Sequence, residues 1–154
     1  MKKIVLLSLV CVLCLSVAGF AFAQPKATQK EAIALTDKAA AYLKANGEAK
    51  AFAEFNKKDG QFTDLSKDLY VFVFDLTGKC LSHGTNPALI GRDMSTMKDS
   101  DGKFFIQEFV TVAKTKGNGW VDYNWSNPTT KKILPKSSYV LKVDNVLIGC
   151  GIYK

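Results

Sequence analysis

The chain has 154 residues, of which 47% are hydrophobic, 11% aromatic and 23% charged, and its formal net charge is +7. That is ordinary globular composition and excludes wholesale disorder, collagen and coiled coil. One histidine and four cysteines are too few for a disulfide scaffold or a histidine-rich metal site.

The N-terminus reads as an export signal. Lys2 and Lys3 form a short positive region, Ile4 to Phe20 carries no charge, and Ala21-Phe22-Ala23 is a small-x-small cleavage site before the polar Gln24-Pro25,. The alternative is a retained membrane anchor, but the apolar run spans only residues 4–20, the short end for crossing a bilayer. Neither Cys11 nor Cys14 follows the small-residue pattern of a lipoprotein signal, so no lipidated N-terminus is expected. Residues 1–23 are therefore expected to be a cleaved signal peptide and residues 24–154 one periplasmic domain. Removing 23 of the 154 residues leaves 131, and losing Lys2 and Lys3 lowers the charge from +7 to +5. A basic balance can signal nucleic-acid binding. Export argues against that partner, and the lysines are scattered (26, 30, 38, 44, 50, 57, 58, 67), as on a solvated face with mild attraction to anions. Only Cys80 and Cys150 remain after cleavage. An oxidising compartment permits a disulfide; two distant cysteines serve equally as small buried hydrophobes. No Cys-x-x-Cys-His occurs, which excludes covalent c-type haem.

Thr28-Gln29-Lys30-Glu31 is a capping box,, and predicts a helix from about Gln29 with Ile33, Ala40 and Leu43 at helical spacing,. Asn46-Gly47 stops it,. A shorter helix over Glu48 to Asn56 carries Phe52 and Phe55, and residues 57–60 form a loop. Residues 69–75 are an apolar run rich in β-branched and aromatic side chains, which predicts a strand covered on both faces. A tight turn with Gly78 at its positive-φ position leads to a short partner strand, Cys80 to His83,. Asn86-Pro87-Ala-Leu-Ile-Gly91 reads as one capped helical turn,. Asp99-Ser-Asp-Gly102 is a turn into a helix from Lys103 to Lys116, with Phe105, Phe109 and Val112 at helical spacing. Three strands close the chain: Gly119 to Trp125, then Ser137 to Val143 after a connection over 126–136, then Val146 to Tyr153 after the two-residue turn Asp144-Asn145,. The expected class is α+β. Five strands form one antiparallel sheet, with the long N-terminal helix on one face and segment 84–117 on the other.

The blocks Leu69-Tyr-Val-Phe-Val-Phe-Asp-Leu-Thr-Gly-Lys79 and His83-Gly-Thr-Asn-Pro-Ala-Leu-Ile-Gly-Arg-Asp93 resemble the Cache domain in its second single-module subtype. So do Asp99-Ser-Asp-Gly-Lys103, Gly119-Trp-Val-Asp-Tyr-Asn-Trp125, Lys136-Ser-Ser-Tyr-Val140 and Gly149-Cys-Gly-Ile-Tyr-Lys154. The blocks cover nearly all of the chain after residue 23, in the family's order. The resemblance implies a PAS-like fold and an extracytoplasmic sensor module. It implies a small ligand, often a short monocarboxylate such as acetate, propionate, lactate or pyruvate, held between the sheet and the segment joining its second and third strands. Typical members sit between two transmembrane helices of a chemoreceptor or histidine kinase; this chain is expected to be a standalone exported form. In a PAS-like sheet the second and last strands flank the first, about 9–10 Å apart. That is too far for a disulfide, so Cys80 and Cys150 are expected as free thiols.

A small-carboxylate pocket needs a cationic anchor, a few donors and apolar walls. Lys136 suits the first role as a point cation. Tyr123, Tyr139, His83 and Tyr70 are candidate donors, and Trp125, Phe72 and Met94 are candidate walls. Each has an ordinary structural alternative as surface lysine, core-edge aromatic or structural histidine. Arg92, the only arginine, is expected in a salt bridge with Asp93 or near Asp99. A calcium loop starting at Met97 places Asp99, Asp101, Gly102 and Glu108 at positions three, five, six and twelve. Methionine at position one cannot bind a hard cation, so a helix-capping turn is expected instead. No nucleophile elbow surrounds His83, and two thiols with one imidazole are too few for zinc. Cys80 and His83, three residues apart on one strand, are expected on opposite faces.

The expected function is therefore a non-catalytic, small-carboxylate-binding sensor domain without cofactor or metal. The alternative is an interaction module that docks on a membrane receptor or histidine kinase without a ligand of its own. The long N-terminal helix offers a surface for a weak homodimer.

Overall fold

The computed structural model describes residues 26–154; the expected signal peptide lies outside them. Helix α1 (Gln29–Asn46) starts at the capping box, where the Glu31 amide donates to Thr28 Oγ1 and the Thr28 amide donates to Glu31 Oε2. Gly47, at φ 76°, ends it and leads into α2 (Glu48–Phe55). The buried stripe of α1 is Ala32, Thr36, Ala39, Ala40 and Leu43. Ile33 is only half-buried, a departure from the expected apolar stripe. Small side chains win the inner face because α1 lies directly on the sheet, over strands β5 and β6 defined below.

The sheet has six strands: β1 (Thr63–Asp64), β2 (Leu69–Asp75), β3 (Cys80–His83), β4 (Asn118–Ser126), β5 (Ile133–Val143) and β6 (Val146–Tyr153). Their order is β1-β2-β6-β5-β4, all pairs are antiparallel, and β3 pairs with β2 further along the edge that β1 occupies. The class agrees with the sequence. The additional strand, β1, has two residues, too few to leave a periodic signal. One face packs Val71, Val73 and Ile148 against α1 and α2 through Phe55 and Phe62. The other packs Phe72, Phe74, Val140 and Leu147 against α3 (Phe105–Lys116) and the segment before it. Both faces of β2 are thus buried, which is why its sequence lacks polar alternation.

Three local departures have clear causes. Strand β5 begins at Ile133 and runs through Pro135, inside the expected 126–136 connection. The Pro135 carbonyl accepts from the Lys154 amide, so its ring nitrogen faces the end of β6 and leaves the ladder with β4 intact,. Helix α3 starts at Phe105, because the turn tied by Asp99 extends through Lys103. In the β2–β3 hairpin His83 pairs with Phe72, Ser82 with Val73 and Cys80 with Phe74. Leu81 is the extra residue of a bulge. The bulge puts Cys80 and His83 on the same face, contrary to the expectation from their spacing. Both thiols are free and buried; β3 and β6 lie on opposite sides of β2.

Candidate functional site

Pleat alternation assembles the site on the α3 face. From β2 come Tyr70, Phe72 and Phe74; from β4, Val121, Tyr123 and Trp125; from β5, Lys136, Ser138 and Val140. Register aligns them: Tyr123 faces Lys136, which faces Tyr153 of β6, and Ser138 faces Gly151. Strand β6 carries glycine where side chains from its neighbours must cross. A Cβ on Gly149 would lie 2.3 Å from the Phe72 ring. One on Gly151 would lie 2.1 Å from Ser138 Oγ and 2.6 Å from Lys136 Cε. Gly151 thus lets Lys136 reach across β6 to Tyr70, and Gly149 makes room for the Phe72 ring.

Lys136 is fully buried, with 0% of its surface exposed. Its Nζ donates to the Tyr70 hydroxyl at 2.7 Å. It lies 3.9 Å from the Tyr70 ring centroid and 4.7 Å from that of Tyr153. None of the four ion pairs among the described residues includes it. Asp68 is the acid that acts on it, and the Asp68 oxygens are already held by Asn127 Nδ2 and Thr129 Oγ1. Burial pushes the Lys136 ammonium from 10.5 down to about 7,. A buried cation lacking a carboxylate is costly, and a perturbed group of this kind is a functional-site signal.

The surrounding polar groups form a directed chain. The Tyr153 hydroxyl donates to the Ser126 carbonyl at 2.9 Å and lies 3.3 Å from the Tyr70 hydroxyl. Tyr70 therefore accepts from Lys136 and donates to Tyr153. The Tyr123 hydroxyl lies 3.0 Å from Ser138 Oγ. Burial holds both Tyr70 and Tyr123 well above the usual phenol range. His83 is also buried, and desolvation, with Lys136 adding repulsion, lowers it to about 3. Its Nδ1 accepts from the Asn86 amide at 3.1 Å and the Thr85 amide at 3.4 Å. The ring is thus neutral with its proton on Nε2.

A cavity of about 10 Å³ lies against these groups, lined by Tyr70, Phe72, His83, Met94, Tyr123 and Trp125 together with Phe74, Leu89 and α3 residues Phe105, Ile106 and Phe109. That volume is the room about one water needs. Lys136 is not a wall of it; Tyr70, to whose hydroxyl Lys136 Nζ donates, is. Phe105 stacks on Tyr123 with centroids 4.5 Å apart, and Trp125 lies 5.4 Å from Phe105.

Seven of the eight residues singled out in the sequence, Lys136, Tyr123, His83, Tyr70, Trp125, Phe72 and Met94, come together here. Tyr139 does not. It alternates to the opposite face of β5, half-buried beside Trp120 with centroids 5.6 Å apart. Sequence reasoning missed Ser138 and Tyr153 as polar members and Phe105 and Phe109 as walls. Two-residue spacing from Lys136 and from Gly151 marks the first two; the helical spacing of the phenylalanines reads in the sequence as packing alone. Arg92 is exposed and belongs to none of the four ion pairs among the described residues, a correction to its expected bridge. Asp99 caps no helix. Its Oδ1 accepts from the Asp101 and Lys103 amides and its Oδ2 from the Asn124 amide, fastening the turn to β4.

A family profile described as single Cache domain 2 matches residues 20–154. The chain is 34% identical over 88 residues to the methyl-accepting chemotaxis protein McpP of Pseudomonas putida, covering 56% of this chain and 16% of that protein. It is 34% identical over 92 residues to the sensor histidine kinase MctS of Rhizobium johnstonii, covering 58% of this chain and 20% of that one. The chain thus spans a fifth or less of the length of these relatives. Among solved structures, a Cache chemosensory domain described for its carboxylic acid recognition superposes with a TM-score of 0.68 at 29% identity, over 80% of this chain and 91% of that one.

Proposed function

Because the chain belongs to the single Cache domain 2 family, we propose that it is an exported, non-catalytic sensor domain for a short monocarboxylate such as acetate, propionate, lactate or pyruvate. The observation that carries this reading is Lys136, a cation with no exposed surface whose hydrogen-bond acceptor is a neutral phenol. A ligand carboxylate beside the Tyr70–Lys136 pair supplies the missing negative charge. His83 Nε2 and the Tyr123 hydroxyl donate to it, and Phe72, Met94 and Trp125 limit the length of its tail. The cavity of about 10 Å³ is too small for such a molecule, so binding moves a wall. Met94, unbranched and adaptable, and the half-buried Trp125 are the residues that yield. The apolar run and cleavage site at the N-terminus support export to the periplasm, and kinship with parts of a chemoreceptor and a kinase supports a receptor or kinase as downstream partner.

Melting temperature against a panel of short monocarboxylates, amino acids, urea and calcium tests the reading. A ligand at 100 times its Kd adds about 2.7 kcal/mol, which is several degrees for a domain of this size. One clear response among the monocarboxylates is expected, and Lys136→Ala abolishes it while the variant remains folded. A flat panel from a folded protein overturns the reading in favour of a docking module.

A further inference from the structure

The surroundings of Lys136 bear on what else must bind with the anion. Among the described residues, the titratable or charged groups set around it are Tyr70 from β2, Tyr123 from β4, Cys150 and Tyr153 from β6, His83 from β3, and Asp68 before β2. Burial keeps the three tyrosines and Cys150 protonated, with the thiol pushed up to about 12. His83 stays neutral down to about 3. Asp68 is engaged by Asn127 and Thr129. Lys136 has no exposed surface and its Nζ donates to a neutral phenol, the Tyr70 hydroxyl, at 2.7 Å, so between pH 6 and 9 it is the member of this cluster that changes charge.

We propose that the site is a two-ligand site, in which a proton taken up by Lys136 accompanies the anion, so that the domain reads carboxylate and pH together. This rests on the carboxylate reading and adds its regulation. An anion cannot settle in a dry cluster of phenols and one neutral amine; it needs the ammonium. Below pH 7 Lys136 already carries its proton and affinity is level. Above pH 7 the free domain loses the proton, while a bound carboxylate restores the group toward its ordinary 10.5. Each further pH unit then weakens binding about tenfold. Between pH 6.0 and 8.5 the expected loss is about 30-fold.

Titration calorimetry of the purified protein with acetate, propionate, lactate and pyruvate at pH 6.0 and 8.5 tests this, each in two buffers of different ionisation heat. The expected result is a Kd about 30-fold weaker at pH 8.5, with close to one proton taken up per anion there and almost none at pH 6.0. Lys136→Arg, which keeps its charge throughout, is expected to give a Kd independent of pH. The wild-type proton count stands on its own if that variant does not fold. Binding with equal Kd at both pH values and no proton uptake overturns the inference and leaves the carboxylate reading intact. No binding by any of the four anions at pH 6.0 overturns both.

Discussion

Replacing Lys136 by methionine should make the ligand-free domain more stable while destroying its ligand site. The change keeps most of the side-chain stem beside Gly151 and removes the charge. In the folded chain burial lowers the ammonium from 10.5 to about 7. At about 1.4 kcal/mol per pH unit, that gap corresponds to about 5 kcal/mol of penalty whenever folded Lys136 is protonated. Methionine removes the penalty and gives up the hydrogen bond to Tyr70, worth about 1 kcal/mol; the Tyr70 hydroxyl keeps Tyr153 as a neighbour at 3.3 Å. The expected net gain at pH 6 is about 2–4 kcal/mol, in line with apolar replacements of buried charges. The sign with pH follows from which state binds the proton. Between pH 7 and 10.5 the unfolded chain holds it and the folded chain does not, so wild-type stability rises across that window and the advantage of methionine shrinks. Urea unfolding of both proteins at pH 6, 7 and 8.5 measures this. A methionine variant less stable than wild type at pH 6, or an advantage that does not change with pH, would refute the account of Lys136 as an uncompensated buried cation.

His83 sets the acid side: its imidazole titrates near 6.5 when unfolded and about 3 when folded, so stability is lost as pH falls through that interval. Between pH 7 and 5 the His83→Gln variant should lose about 2 kcal/mol less than wild type in urea unfolding; equal losses contradict the assignment. Gly151→Ala, whose Cβ would meet Ser138 Oγ at 2.1 Å and Lys136 Cε at 2.6 Å, should cost about 1–3 kcal/mol and weaken carboxylate binding, and an unchanged urea midpoint would show that β6 need not be bare there. Tyr139→Phe should leave carboxylate affinity unchanged, since Tyr139 packs beside Trp120 on the far face, whereas Tyr123→Phe should weaken it about fivefold to tenfold, as the loss of one hydrogen bond does; calorimetry separates the two.

Long elements were legible from local chemistry. The capping box at Thr28 and the apolar runs of β2 and β6 act within a few residues of themselves, and the structure keeps them. What needed the fold was registration between strands. Tyr139 has the hydroxyl chemistry of a site donor, yet its odd spacing from Lys136 on β5 sends the two to opposite faces, a signal present in the sequence. Cys80 and His83 share a face because of a bulge at Leu81, which no local pattern announces. Tyr153 meets Tyr70 and Lys136 only because β6 lies between β2 and β5. Gly149 and Gly151 carried the quietest signal: alternate glycines in a central strand mark where a neighbour's side chain must pass.

The central claim is that a monocarboxylate sits against the Tyr70–Lys136 pair. A crystal structure of the domain grown at pH 6 with propionate tests it most directly. The account predicts the propionate carboxylate within hydrogen-bond distance of Lys136 or Tyr70 and of His83 Nε2 or Tyr123, with its tail against Phe72 and with Met94 or Trp125 displaced outward. Propionate bound elsewhere, with Lys136 still donating to Tyr70 behind an unaltered cavity, would contradict it.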